Sequence, residues 1–452
     1  MESLSLQDAE RRFGAGRAET RGLICVVGAG PKALATAAKS QVLRELGVEA
    51  PRVLVVEPYG VGANWTAAGG RTNGRPRLST SPEKDLGFPY TSQGHGTAID
   101  ASVNTLMQKF SWTAFLVSAG RYAAWVDAGR PSPRHLDWAA YLRWAAERTD
   151  FPLVSGWVRR LETSCGQWEV TVEGSSGGSA ALWADRVMIS GPGPHGGRLA
   201  DDAICTVEEF WRLGLDTTLV DPAVAVVGGG ETAAAVVEDL VRQHSGRTTV
   251  ISPYPVVYSR GEGFFENALY SSPERWRELP EQDRREVIAR TDRGVYSPRA
   301  IEAITTEATV LHQQGTVTAV RRADTQVELE LHNPGRAART LRFDVVIDAT
   351  GARPDWFLDL LADRARSAVA AIVGDAPETA EALERHIRAD LSLDGLRPKL
   401  LLPTLAAYAQ GPGFANLSSL GLLSDRVLAE SRDTSAPATR PRVSLPEGGE
   451  PA

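Results

Sequence analysis

Two stretches of the chain carry the same succession of apolar and polar positions. In "RGLICVVGAGPKALATAAKSQVLRELG" an unbroken apolar run gives way to glycines, then to apolar residues at helical spacing, and "RVLVVEPYG" follows as a second apolar run. Short continuous apolar runs between breakers predict strands buried on both faces, as in a parallel sheet. The succession therefore predicts strand, Gly-rich turn, helix and strand, a βαβ unit. "DPAVAVVGGGETAAAVVEDLVRQHSGRTTVISPY" repeats it about two hundred residues later.

After each unit the pattern changes to alternation. "GWVRRLETSCGQWEVTVEGSSGGSAALWADRVMISGPGP" and "GTVTAVRRADTQVELELHNPGRAARTLRFDVVIDATGARP" read as β-meanders returning through an apolar strand to a glycine turn. The predicted fold is α/β: two Rossmann-like dinucleotide-binding domains, the second inserted in the first, with β-meander excursions. "SGPGPHGG" at 190–197 is the predicted crossing between them. The expected divisions are a first domain over 20–204 and 335–432 and a second over 205–334. Residues 1–19 and 433–452, poor in large apolar side chains, are expected to be mobile tails.

Composition narrows the class without naming a chemistry. A chain of 452 residues, 42% hydrophobic and 23% charged, is ordinary globular material, and a net charge of -7 gives no basic footprint for nucleic acid or an anionic membrane. No apolar run approaches the ~20 residues of a membrane span, and the N-terminus lacks the apolar stretch of a secretory leader, so a cytoplasmic location is expected. Cys25, Cys165 and Cys205 stand alone, which argues against a disulfide framework, a dithiol centre or a structural metal site.

Chemistry enters with the two glycine turns. Gly28 allows the tight turn, Gly30 lets a pyrophosphate approach the backbone, and Pro31 and Lys32 open the helix whose N-terminus would hold the anion. Glu57 ends the next strand, where a carboxylate accepts a hydrogen bond from a ribose hydroxyl. Gly228, Gly230, Glu231 and Thr232 repeat the turn, but their following strand ends in Ser252. The missing acid, together with Arg260 downstream, favours NADPH over NADH.

A third feature is "RLSTSPEKDLGFPY". Ser81 and Pro82 predict a helix start, and Gly87 and Pro89 end it after about one turn, so the stretch would hold Lys84 on a fixed loop. Taken alone, Lys84 reads as a solvated surface lysine.

The combination of "VGAGPKALATAAK", "SPEKDLGFPY", "GGGETAAAVVEDL", "GFFENALYSSPERW", "FDVVIDATG" and "GPGFANLSSLGLLSDRVLAESR" resembles the flavin-dependent monooxygenases that N-hydroxylate ornithine, lysine and related amines. The resemblance runs from about residue 20 to 432. It implies FAD in the first site and NADPH in the second, O2 as co-substrate, a C4a-hydroperoxyflavin as oxidant, a homo-oligomer, and a place in siderophore or other natural-product biosynthesis. It puts Lys84 and Asn267 against the amino-acid substrate and Ser424 near flavin and substrate. Trp65, Ser79, Gly351 and Leu423 fall on its cofactor-binding positions. Where the family has an asparagine for the substrate carboxylate, this chain has Asp292 and Arg293, and Arg71, Arg75 and Arg77 crowd the loop before Lys84.

The expected reaction is FAD- and NADPH-dependent N-hydroxylation of a primary amine, with the side-chain amine of L-lysine or L-ornithine leading. An acidic amino acid, favoured by the arginines, and a diamine, favoured by Asp292, stay open. A Baeyer-Villiger or S-oxygenating enzyme, or an uncoupled NADPH oxidase, is the rival outside the family.

Overall fold

The computed structural model describes residues 1–429 apart from 15–19, 21, 176, 198, 200, 217, 244–245, 292 and 306–309. Strands β1 (Glu2–Leu4), β2 (Leu23–Val27), β3 (Arg52–Val56) and β4 (Pro152–Val154) open the first unit, and β5 (Trp157–Ser164), β6 (Gln167–Glu173) and β7 (Ser179–Ala184) form an antiparallel meander beside it. After β8 (Arg186–Ile189) the chain crosses, through residues 190–197, to β9 (Cys205–Thr206). The second unit continues with β10 (Val224–Val227), β11 (Thr248–Ser252), the short pair β12 (Tyr258–Ser259) and β13 (Val295–Tyr296), and β14 (Val310–Gln314). Its meander is β15 (Thr316–Ala323), β16 (Gln326–His332) and β17 (Arg339–Phe343), followed by β18 (Val345–Asp348). Strand β19 (Lys399–Leu401) returns to the first sheet.

The two main sheets are wholly parallel, in the orders β1-β4-β3-β2-β8-β19 and β14-β11-β10-β18-β9. In each, the central strand leads into a Gly-rich turn at its carboxyl end, where open α/β sheets bind their ligands. The reason is burial: Ile24, Cys25 and Val26, like Val224, Ala225 and Val226, are fully buried, so both faces of these strands must be covered by helices or meander. The α/β architecture with two Rossmann-like units and two meanders is as the sequence predicts.

Two boundaries differ. Residues 2–13 are not a tail: β1 pairs in parallel with β4, Ser5 caps the helix Leu6–Phe13, and Ala9 and Phe13, four apart on one face, are buried. The second unit also extends past residue 334, because β18 pairs with β10 and β9. The local echo of "DVVIDATG" with "DRVMISGPG" cannot reveal that pairing, which is a property of the sheet. The stretch 433–452 lies outside the described residues.

Candidate active site

The first Gly-rich turn is built for a pyrophosphate. Gly28 has φ +101°, and a Cβ there would stand 2.8 Å from Ser190 Oγ. Gly30 caps the helix Pro31–Glu45 without a side-chain hydrogen bond, and a Cβ on it would enter open space. The uncapped start of the helix thus faces room for an anion. Glu57 lies beneath the turn, its carboxylate accepting from the amides of Ala29 (3.2 Å) and Tyr59 (2.9 Å), and burial raises its pKa. Lys32 turns away: its ammonium donates to the Ala415 carbonyl at 2.6 Å, joining this helix to the C-terminal segment.

The second turn repeats the design. Gly228 has φ +150°, and a Cβ would meet the Ala349 carbonyl oxygen at 2.2 Å; Gly230 caps the helix Glu231–Arg242, again with open space before it. At the end of β11, Ser252 Oγ lies 3.1 Å from His312 Nε2, so no acid occupies that strand end. A cleft of ≈ 720 Å³ separates the units, lined among others by Trp65, Ser79, Glu231 and Thr232. Both glycine turns fit a dinucleotide. Gly351, also at positive φ, gives its carbonyl to the Gly196 amide at the crossing, and Leu423 is a fully buried core residue.

The loop carrying Lys84 is a run of turns, not a helical turn: Lys84 N bonds the Ser81 carbonyl, Phe88 N that of Asp85, and Tyr90 N that of Gly87. Proline and glycine at close spacing prevent the helix from propagating. Asp85, 3% exposed, anchors the loop by accepting from Tyr90 Oη (2.7 Å) and from the amides of Trp112 (2.8 Å) and Gly87 (3.3 Å). Burial pushes its carboxyl up to about 6.

Lys84 Nζ donates to Asn267 Oδ1 at 2.6 Å and to Ser418 Oγ at 3.1 Å, and stands 5.1 Å from the centre of the Tyr270 ring. Asn267 is oriented by its own amide, which donates to the Glu262 carbonyl at 2.6 Å. Burial pulls the Lys84 ammonium down to about 8; Glu262 opposes this, while Arg260 and Arg299 add to it. Among the described residues no carboxylate oxygen forms an ion pair with Lys84. Three distant segments therefore converge on one partly desolvated cation.

Other expected contacts fall elsewhere. Ser424 is fully buried in the helix Leu420–Leu428, and its hydroxyl donates to the carbonyls of Leu420 (2.9 Å) and Gly421 (2.8 Å), so it is not available to flavin or substrate. Ser418, six residues earlier, takes the place at Lys84. Arg293 pairs with Glu384, away from this cluster, and Asp292 lies outside the described residues. Arg71 and Arg77 donate to the main-chain carbonyls of Gly193 and Ser132 and line the cleft between the units. Arg260, expected on the nucleotide, forms ion pairs with Glu262 and Glu231.

Residues 102–354 match the family described as L-lysine 6-monooxygenase/L-ornithine 5-monooxygenase. The L-lysine N6-monooxygenase MbtG of Mycobacterium sp. (strain MCS) is 44% identical over 425 residues, 93% of this chain and 97% of that protein. The chain belongs to this family. It is a flavin-dependent N-hydroxylating monooxygenase whose cofactors are FAD and NADPH. The MbtG of Mycobacterium tuberculosis is 41% identical over 412 residues, 90% of this chain and 94% of that one. The solved lysine monooxygenase NbtG of Nocardia farcinica superposes with a TM-score of 0.80 at 47% identity, covering 90% of this chain and all of the other. The ornithine N-hydroxylase KtzI of Kutzneria, at 18% identity, shares the fold with a TM-score of 0.69 over 89% of this chain and 97% of that one.

Proposed function

We propose that the protein hydroxylates the side-chain amine of L-lysine, with Lys84 holding the substrate's α-carboxylate. The observation that carries this reading is the half-buried Lys84 ammonium bonded to neutral acceptors, Asn267 and Ser418, with no carboxylate forming an ion pair with it among the described residues. A desolvated cation left in that state is stabilised by an incoming anion far more than one in water. Lysine is favoured over ornithine because the relatives at 40–47% identity carry lysine in their names.

FAD bound at the first Gly-rich turn and NADPH at the second would together supply the two electrons and the activation of O2 that the reaction requires, with one oxygen atom entering the amine and the other leaving as water. Gly28, Gly30 and Glu57 would hold the first dinucleotide, and Gly228, Gly230 and Thr232 the second. The chain's own task is orientation and proton control. Lys84 fixes the carboxylate end of the substrate, leaving the far amine free to reach the oxidant. That amine must be neutral to attack, yet an aqueous ammonium of pKa about 10.4 is under about 1% neutral at pH 8, so partial desolvation in the site assists. The product is an N-hydroxylated amino acid of the kind that siderophore assembly consumes.

The test is to follow hydroxylamine formed per NADPH consumed with L-lysine and L-ornithine. Tight coupling with lysine supports the reading. Hydrogen peroxide from both, with no hydroxylamine, would refute it.

A further inference from the structure

The seam between the units holds a guanidinium with three unrelated partners. Arg260 Nε donates to Glu262 Oε1 at 2.7 Å, its Nη2 donates to the Ser79 carbonyl at 2.9 Å, and its Nη1 lies 3.7 Å from Glu231 Oε1. Ser79 stands five residues before Lys84 on the same loop of the first unit. Glu262 belongs to the second unit, and its main-chain carbonyl orients Asn267. Glu231 opens the helix after the second Gly-rich turn. The Arg260 amide donates to the Tyr296 carbonyl at 2.8 Å, which fixes the root of the side chain, and Arg299 gives the Ser79 carbonyl a second bond at 3.1 Å.

We infer that Arg260 is a positioning residue for the substrate anchor, setting Lys84 against Asn267 across the seam between the units, and is not a ligand of the nucleotide 2'-phosphate. The inference rests on the reading of Lys84 and Asn267 as the amino-acid anchor. A guanidinium presents its N–H groups in one rigid plane, so holding Glu262 and Ser79 together fixes the two segments relative to each other. A lysine at this position would be a single flexible point and could not serve all three acceptors. A 2'-phosphate approaching Arg260 would meet two carboxylates, Glu231 and Glu262, already at the guanidinium. The groups around Lys84 give a second handle: Glu262 favours its charged form, Arg260 and Arg299 disfavour it, and Tyr270 faces it with a ring.

The experiment compares the FAD-loaded enzyme with Arg260→Gln and Arg260→Lys, measuring KM for L-lysine, KM for NADPH, the NADPH/NADH preference and the pH dependence of the lysine KM. The expected result for Arg260→Gln is full FAD content, a lysine KM raised about tenfold or more, and NADPH KM and coenzyme preference within about twofold of the parent. The pH at which the lysine KM climbs should also move upward, because a cation that repels the Lys84 proton is gone. Arg260→Lys should recover part of the lysine KM. A raised NADPH KM or a lost NADPH preference, with the lysine KM unchanged, would overturn the inference and make Arg260 a nucleotide ligand. A lysine KM within twofold of the parent in both variants would overturn it as well. Should Arg260→Gln not fold, Arg260→Lys carries the same readouts and the same two refuting outcomes. A parent enzyme that forms no hydroxylamine from any amino acid would instead bring down the anchoring reading, a result separable from either of these.

Discussion

Replacing Lys84 with methionine keeps the length of the side chain and removes its charge. Burial, together with Arg260 and Arg299 and against Glu262, lowers the Lys84 pKa from 10.5 to about 8, a difference of about 2.5. At about 1.4 kcal/mol for each such step, the empty site holds the charge at a cost on the order of 3 kcal/mol, which a bound carboxylate would return. The lysine KM of Lys84→Met should therefore rise on the order of a hundredfold. The effect should fall on KM more than on kcat, because the contact is to the carboxylate end of the substrate and not to the reacting amine. Steady-state hydroxylamine formation over a range of L-lysine concentrations measures this, with the flavin absorbance confirming that FAD stays bound. A lysine KM within threefold of the parent, with hydroxylated product still formed, would refute the reasoning, since no buried ion pair could then be in play.

Other consequences are open to direct test. With the free-enzyme Lys84 near pH 8, the cation is present below that pH and lost above it, so the lysine KM should be flat from pH 6.5 to 7.5 and about tenfold higher at pH 9. Ser424→Ala should leave kcat and KM within about twofold, because its hydroxyl is spent on its own helix, whereas Ser418→Ala should raise the lysine KM about three- to tenfold by removing an acceptor from Lys84. Gly228→Ala forces a side chain into the Ala349 carbonyl and a residue into a left-handed conformation; it should cost about 1–3 kcal/mol and raise the NADPH KM, read by thermal melts and kinetics. Lys39→Met strands the buried Asp425 carboxylate, 2.6 Å from the Lys39 ammonium, and should cost about 3–5 kcal/mol of stability, seen as a lowered melting temperature.

The parts of this molecule that the sequence discloses are those where the backbone itself constrains the residue. Gly28 and Gly228 need positive φ, and Gly30 and Gly230 leave space in front of a helix, so the dinucleotide units are legible from local pattern alone. The Lys84 and Asn267 pair is different. The two are 183 residues apart and meet only because the seam between the units brings them together; resemblance to a family, not spacing, joined them. Ser418 went unnoticed because a serine in "FANLSSLGLLS" has nothing to separate it from its neighbours except which one falls before the helix at Leu420 and which inside it. Ser424 failed for that same reason, since a serine within a helix can satisfy itself on the preceding turn. Charge and position after β11 point Arg260 at a nucleotide, while its carboxylate partners depend on tertiary structure. The N-terminal strand shows the limit of composition: "ESL" is too short to register as a strand, and only the free edge of β4 makes it one.

The central claim is that a lysine is hydroxylated while its carboxylate rests on Lys84, and the comparison of L-lysine with cadaverine tests it most directly. Cadaverine keeps the reacting amine and chain length but lacks the carboxylate. The account predicts coupled hydroxylamine formation from L-lysine, with kcat/KM for cadaverine lower on the order of a hundredfold in the parent enzyme and nearly equal to that for lysine in Lys84→Met. Equal kcat/KM for the two substrates in the parent enzyme would contradict it.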